Sequence, residues 1–558
     1  MTQLNCDLSF DPEDPYFPLP GNDSVRWALQ IFTTSNGYGL DKSTTIQRTE
    51  SDGAVQWHTA RYCRLGQQAH AGSGSVDVRI READGTWTFN IDAVHYEPIK
   101  SVKLILRGLP DSSPAAGWWS PTSPRGAQQT GSFQWNYPSA EWATKWAAAG
   151  ETVLSIRDTT VSGAVLHVGT PAYLDETLVE LVHSVPATGR MTSVVLPPIR
   201  LTLDATPGRI SDDLTAHYAH LEKTFGLKNW TERQDVPQWA RDISLVVTLH
   251  GQHWTGHVFN TFDEMVDLLD RVAIEVEPRR VLAYLPGWEG RYYYEYPYYK
   301  PGDDLGGEAG FRRLVDRAKE LGVRLMPMFG ANGANVTQYP RWEKAAIRND
   351  TNRYPTMLNS PDWDGDRYPE GDQVFLNPGE PGFRRDLVGA ISSLVEQFGV
   401  DAAFLDTASF WFNDPRYALY DGYAALVTEL RELYPDLLLV SEGWWDAMMA
   451  LFPMSQQWLG IERDIERPEF LTRYARTTSH LAEGTPGLGS TGVHEQGYRV
   501  RPPDRTLLGH LPVVSFAGGN GDQQIALLRT LTLIRPMDVE SRTSGQSKVP
   551  RKIPQESR

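Results

Sequence analysis

Two acidic residues stand where they could do chemistry together. Asp406 ends the apolar run in V-D-A-A-F-L-D-T-A-S, and Glu442 ends the one in D-L-L-L-V-S-E-G-W-W. Continuous apolar runs of this length, closed by polar residues, predict strands buried on both faces. Between them Tyr420, Tyr423, Val427, Leu430 and Tyr434 recur at helical spacing, and Pro435 closes the pattern. The stretch reads as one β-α-β unit with a right-handed crossover and two parallel strands ending on the same face. Both carboxylates then look into one site. Such a pair suits cleavage of a glycosidic bond: one acid attacks the anomeric carbon, while the other protonates the leaving oxygen and then activates water. Neighbouring strand ends allow a carboxyl separation of about 5 Å, the spacing of the retaining reaction. Asp406 is the expected nucleophile. Glu442 is the expected acid/base, with Trp444 and Trp445 as an apolar wall that keeps it protonated. The plainer roles are a helix cap for Asp406 and a loop-anchoring salt bridge for Glu442. Two acids after consecutive strands, with Phe410, Trp411 and Trp444 beside them, favour catalysis.

Other residues at predicted strand ends or in nearby loops are candidates for sugar contacts: His250, His253, Trp254, Tyr284, Trp288, Asn332, Trp411, Trp444, Trp445 and His494. The run H-G-Q-H-W-T-G-H holds His250, His253 and His257. A barrel zinc hydrolase would show H-x-H on its first strand and further histidines later. This spacing is H-x-x-H and the later strand ends carry carboxylates, so a sugar-contacting or structural role is expected and no metal. D-W-D-G-D-R places Asp362, Asp364 and Asp366 like a calcium loop, but its glycine and closing glutamate are out of position, which favours a solvated loop. Tyr292, Tyr293, Tyr294, Tyr296, Tyr298 and Tyr299 crowd the loop after Trp288, either as a sugar-stacking surface or as a packed loop core. Asn377 and Pro378 are expected to shape a turn. His494 and Glu495 lie in a Gly-rich loop that could face the site.

The elements that must position these residues follow from the patterning. Residues 1–235 show short alternating runs, such as S-V-D-V-R-I-R-E and T-W-T-F-N-I-D-A-V, separated by turn signals. An antiparallel β-sandwich is predicted there. Ser132 to Ala149, with three tryptophans, is expected to include a short helix, either folded over the neighbouring domain or buried in the sandwich. Over 236–538, apolar runs ending at His250, Pro286, Gly330, Asp406 and Glu442 alternate with helical patterns, one of them ended by Gly322. Later strands are expected near Trp458 and Val513, and a last helix in D-Q-Q-I-A-L-L-R-T-L-T-L-I. The length and strand count suit a (β/α)₈ TIM-type barrel, with the site at the carboxyl ends of its strands. A doubly wound sheet would want G-x-G-x-x-G after its first strand, and none is present. Residues 539–558 read as a disordered tail.

Composition narrows the class. The chain has 558 residues, 40% hydrophobic and 22% charged, as in globular proteins of more than one domain. A net charge of −17 argues against nucleic acid and anionic membrane surfaces as partners. Cys6 and Cys63 are too few for a disulfide framework or a cysteine zinc site, and no signal peptide or long apolar run is visible. A cytoplasmic protein without cofactor, acting on an oligosaccharide or glycoside, is the expectation.

A β-sandwich followed by a barrel with F-L-D-T on its fourth strand and S-E-G-W on its fifth resembles the retaining α-glycosidases. The likeness is greatest to the endo-α-N-acetylgalactosaminidase group and barrel proteins near it. The resemblance implies the same roles, nucleophile for Asp406 and acid/base for Glu442. The α-amylase superfamily carries an arginine two residues before its nucleophile, where this chain has Phe404. The expected activity is hydrolysis of an α-linked glycoside by double displacement. The rivals are a transglycosylase or lyase using the same pair, or a carbohydrate-binding barrel without catalysis.

Overall fold

The computed structural model describes residues 14–531 with interruptions, the larger being 110–114, 119–130, 158–163, 170–177, 291–298, 349–372, 458–471, 485–497 and 500–509. From Phe17 to Ala205 the chain forms antiparallel strands hydrogen-bonded into one sheet. The strand Asn22–Thr33 and the strand Thr86–Val94 lie four steps apart in hydrogen-bond order. A flat sheet would separate them by about 19 Å. Yet the ring centroids of Trp27 and Phe89 are 6.0 Å apart, and those of Trp27 and Trp57 are 5.1 Å apart. The sheet therefore curls over on itself, and these rings fill the space between its two faces, which is the sandwich predicted.

The stretch expected to hold a short helix is instead two strands, Gly131–Trp135 and Ser139–Trp146. Its alanines favour a helix locally, but the second strand is hydrogen-bonded along both edges, to Gly150–Arg157 and to Ala115–Trp118, and such pairing outweighs intrinsic propensity. The region also ends in a helix that the strand pattern did not predict, α1 (Pro207–Phe225). Its Tyr218 stacks on Tyr474 at 5.3 Å, its Glu222 accepts from the Tyr474 hydroxyl at 2.7 Å, and its Phe225 meets Tyr420 at 5.5 Å.

The second sheet is a barrel of parallel strands: β1 (Leu245–Leu249), β2 (Val281–Leu285), β3 (Arg324–Gly330), β4 (Ala402–Asp406), β5 (Leu438–Glu442), β6 (Met454–Gln457) and β7 (Arg476–Ser479). The eighth, β8, spans 510–516 and is interrupted at Pro512: His510–Leu511 pairs with β7, and Val513–Phe516 pairs with β1. Proline cannot donate to a ladder, but its carbonyl accepts from the Val246 N–H at 2.9 Å, so the ring closes across it. The sixth strand ends just before Trp458, and β7 lies in R-T-T-S, which has no apolar residue to mark it.

Helices alternate with the first five strands as the pattern requires. After β1 comes α2 (Phe262–Glu275), opened by a Thr261–Glu264 capping box. After β2 comes α3 (Gly307–Leu321), ended at Gly322 in the left-handed conformation, as expected. Next are α4 (Pro381–Phe398) before β4, α5 (Leu419–Leu433) before β5, and α6 (Gly521–Leu531) after β8. Among the described residues no helix is long and apolar enough to cross a membrane.

Inside the barrel, Val246, Leu282, Tyr284, Met326, Met328, Phe404, Val440 and Met454 form one core with Trp230, Val236, Ala240 and Ile243 of the segment leading into β1. That segment stoppers the N-terminal mouth. Arg233 pins it, donating to the Met449 carbonyl at 2.6 Å and pairing with Asp235 at 2.6 Å, while Arg431 of α5 reaches Asp235 at 2.7 Å. The carboxyl ends of the strands, Asp406 of β4 and Glu442 of β5 among them, lie at the opposite mouth.

Candidate active site

Asp406 is the last residue of β4 and Glu442 the last of β5. Side chains alternate along a strand, and the preceding residues set their direction. Ala402, Phe404, Leu438 and Val440 belong to the core inside the barrel, whereas Ala403, Leu405 and Leu439 belong to the shell under the helices. Asp406 and Glu442 continue the inward rows. The ladder pairs Leu405 with Ser441, so one further step brings Asp406 level with Glu442. It also sets Gly330 beside Asp406, Gln456 beside Glu442, and Thr478 beside Gln456. These five residues form one arc of the C-terminal mouth. Neighbouring parallel strands lie about 4.8 Å apart, and the two acids leave the sheet at that spacing.

Both acids are withdrawn from solvent, at 4% and 6% exposure. Tyr423, buried on α5, feels both of them. Burial first, then the charge of Glu442, then that of Asp406, raise its phenol well above its usual pKa. Tyr299 is raised in the same way, by burial first, then by Glu289 and Asp406, against a hydrogen bond with Gly330 that lowers it. Its hydroxyl accepts from the Gly330 N–H at 2.5 Å, and its ring meets Phe329 at 4.8 Å. Glu289, 7% exposed, is thus a third buried carboxylate near the mouth. It lies four residues beyond Leu285, the end of β2, so the strand-end pattern that marks Asp406 and Glu442 does not mark it.

The turn after Glu442 is built to hold it. The Ser441 hydroxyl donates to the Gly443 carbonyl at 2.8 Å, and the Gly443 N–H donates to the Gln456 carbonyl at 2.8 Å. Gly443 has a φ of +69°, the left-handed region that favours glycine. Gly443→Ala is expected to cost about 1–2 kcal/mol of stability and to lower kcat about 10- to 100-fold by shifting Glu442. Denaturant unfolding with steady-state kinetics checks this; an unchanged kcat would mean that the turn does not orient Glu442.

The other candidates separate by depth. His250 follows Val246 and Thr248 in the inward row of β1, is fully buried, and meets Phe259 edge-on at 4.4 Å. Its carbonyl accepts from Asn260 Nδ2 at 2.8 Å, and the same amide donates to the Phe516 carbonyl at 3.0 Å, clipping β1 to β8. Tyr284 lies lower, on the floor beneath the acids: it packs on Phe404 at 4.7 Å, and its hydroxyl donates to Met328 Sδ at 3.0 Å. Trp288 lies just beyond the end of β2. It is fully buried against Phe311 and Phe329, with its indole donating to the Met328 carbonyl at 2.8 Å. Asn377 shapes its turn as anticipated, accepting from the Gly379 N–H at 2.8 Å. His253, Trp254, Asn332, Trp411, Trp444, Trp445 and His494 lie outside the described residues, as do positions 292–298, 362–366 and 495.

A curled antiparallel sheet leading into a parallel eight-stranded barrel, with two level acids at its C-terminal mouth, defines the class of architecture. No family model matches the sequence, and no curated protein matches it at a significant level. Solved structures do match the fold. The chain is similar to the ligand-free alpha-N-acetylgalactosaminidase NagBb from Bifidobacterium bifidum at 14% identity, covering 92% of this chain and 89% of that one with a TM-score of 0.62. The GalNAc complex of the same enzyme matches at 14% identity over 92% and 89% of the two chains, with a TM-score of 0.61. The GH36 alpha-galactosidase AgaA from Geobacillus stearothermophilus gives 11% identity over 96% and 81%, with a TM-score of 0.47.

Proposed function

We propose that the chain is a glycoside hydrolase that cleaves an α-linked glycoside with retention, the chemistry residing in the barrel over 236–538. The observation that carries this reading is the pairing of Asp406 with Glu442, level on adjacent strands and in the inward rows at the C-terminal ends of the barrel. Neighbouring strands lie about 4.8 Å apart, which allows the carboxyl separation of roughly 5–5.5 Å of a retaining site. In the first step a carboxylate oxygen of Asp406 attacks the anomeric carbon. The bond to the leaving oxygen breaks, and that oxygen takes the Glu442 proton. In the second step Glu442, now a carboxylate, takes a proton from water, whose oxygen displaces Asp406. Each displacement inverts the carbon, so the product keeps the starting configuration. The name of the structural neighbour NagBb, an alpha-N-acetylgalactosaminidase, supports the α-linkage and gives the first substrate to try.

The test is proton NMR of the anomeric signal during hydrolysis. The α-anomer is expected first, relaxing later to the equilibrium mixture. A β-anomer formed first would overturn double displacement. An unsaturated sugar would reveal a lyase, and transfer to added alcohol without hydrolysis a transglycosylase. Oligosaccharide bound but never cleaved would leave a binding protein.

A further inference from the structure

The loop leaving β4 is held by the N-terminal sheet through one side chain. Asn413 Oδ1 accepts from the Ala187 N–H at 2.6 Å, and its Nδ2 donates to the Val185 carbonyl at 2.5 Å. An amide read on both its donor and acceptor sides is fixed in orientation. Val185 is itself fixed: it follows the sheet strand Leu178–Ser184, is fully buried, and donates its N–H to the Lys100 carbonyl at 2.8 Å. On the barrel side, the neighbours of Asn413 are clamped as well. Phe412 packs on Phe375 at 4.6 Å, and the buried Asp414 accepts from Asn377 at 3.1 Å and from Arg416 at 3.0 Å. Arg416 continues to the carbonyls of Lys344 and Ala346 at 2.6 and 2.7 Å.

We propose that Asn413 is a positioning residue through which the sheet holds the loop leaving β4, and so the placement of Asp406. This rests on the glycosidase reading. Asn413 stands seven residues beyond Asp406, and misplacement of a reacting group by about 1 Å can cost on the order of 10²-fold in rate.

The test breaks the contact from each side. Asn413→Ala removes the amide, and Ala187→Pro removes the N–H it receives, far from the barrel mouth in sequence. If Asn413→Ala does not fold, Asn413→Asp, which keeps the acceptor and loses the donor, takes its place. Each variant is expected to raise backbone hydrogen exchange over 406–418 and to lower kcat about 10- to 100-fold with KM nearly unchanged. The double variant should fall no further than either single one. Unchanged exchange and unchanged kcat in an active protein, or losses that multiply, overturn the proposal. A wild-type chain inert towards every α-glycoside instead overturns the glycosidase reading, and the catalytic part of this inference with it.

Discussion

Asp406→Asn is expected to lower α-glycoside hydrolysis by about 10⁴- to 10⁶-fold in kcat, the scale seen when a covalent nucleophile is removed, or roughly 5–8 kcal/mol of barrier. The neutral amide has nearly the same shape, so binding of an oligosaccharide or iminosugar should survive. Asp406 is buried, and a neutral amide costs less to desolvate than a carboxylate, so the substitution should not lower stability. Glu442 should behave differently. Glu442→Ala is expected to lose about 10²- to 10⁴-fold on ordinary glycosides, and much less in the first step on an aryl glycoside whose leaving group needs no proton. Added azide should then restore turnover, releasing a glycosyl azide of retained configuration. Kinetics with both leaving groups, with and without azide, decide the matter. If Asp406→Asn stays active, or azide rescues the Asp406 variant with retention, the roles assigned here are wrong.

The largest effect on stability is expected beneath the barrel. Desolvation would push Asp235 upward, but the hydrogen bonds and charge of Arg233, with the charge of Arg431, prevail and hold its carboxyl below its ordinary range. Burial lowers Arg431 to about 10, an effect opposed by Asp235 and reinforced by the like charge of Arg233. Removing the acid leaves two guanidinium groups facing each other, one of them almost completely buried. Asp235→Ala is expected to destabilise the fold by about 3–5 kcal/mol, measured by denaturant unfolding at neutral pH. Because the folded pKa is the lower one, this stabilisation is complete above the unfolded value of about 3.9 and is lost as pH falls through the folded value. The wild type should therefore lose stability below about pH 4, and the variant should lose less there. Equal acid sensitivity in the two proteins would show that the cluster does not act through this carboxylate.

The sequence revealed the parts in which local pattern and tertiary role coincide. Ala402–Leu405 and Leu438–Val440 are apolar because both faces are buried, and the acids ending the two strands could be read as facing one mouth. Gly322 was legible as a helix end because only its missing side chain makes that conformation cheap. The strand Arg476–Ser479 was not legible. Thr477 and Thr478 are buried in the ring at 0% and 2% exposure, yet hydroxyl-bearing residues carry no apolar signature. Ser139–Trp146 misled for the opposite reason, since its composition favours a helix and its partners, remote in sequence, make it a strand. Glu289 was not legible because it lies beyond Leu285, the end of β2, and closes no apolar run. Depth behind the strand end, which decides between packing and contact, is not written in residue type. Asn413 could not have been singled out at all, because its partners lie in another part of the chain.

The interruption of β8 at Pro512 has a consequence for biogenesis. During synthesis β1 emerges early and keeps one edge unpaired until Val513–Phe516 leaves the ribosome, so the nascent barrel carries an open strand for most of its translation. Closing so long a loop is entropically slow. A proline in the closing strand removes one donor from an edge that could otherwise pair with another chain. The last strand thus acts as the clasp of the ring, and damage to it is expected to show first as aggregation of newly made protein, before any defect in the finished site.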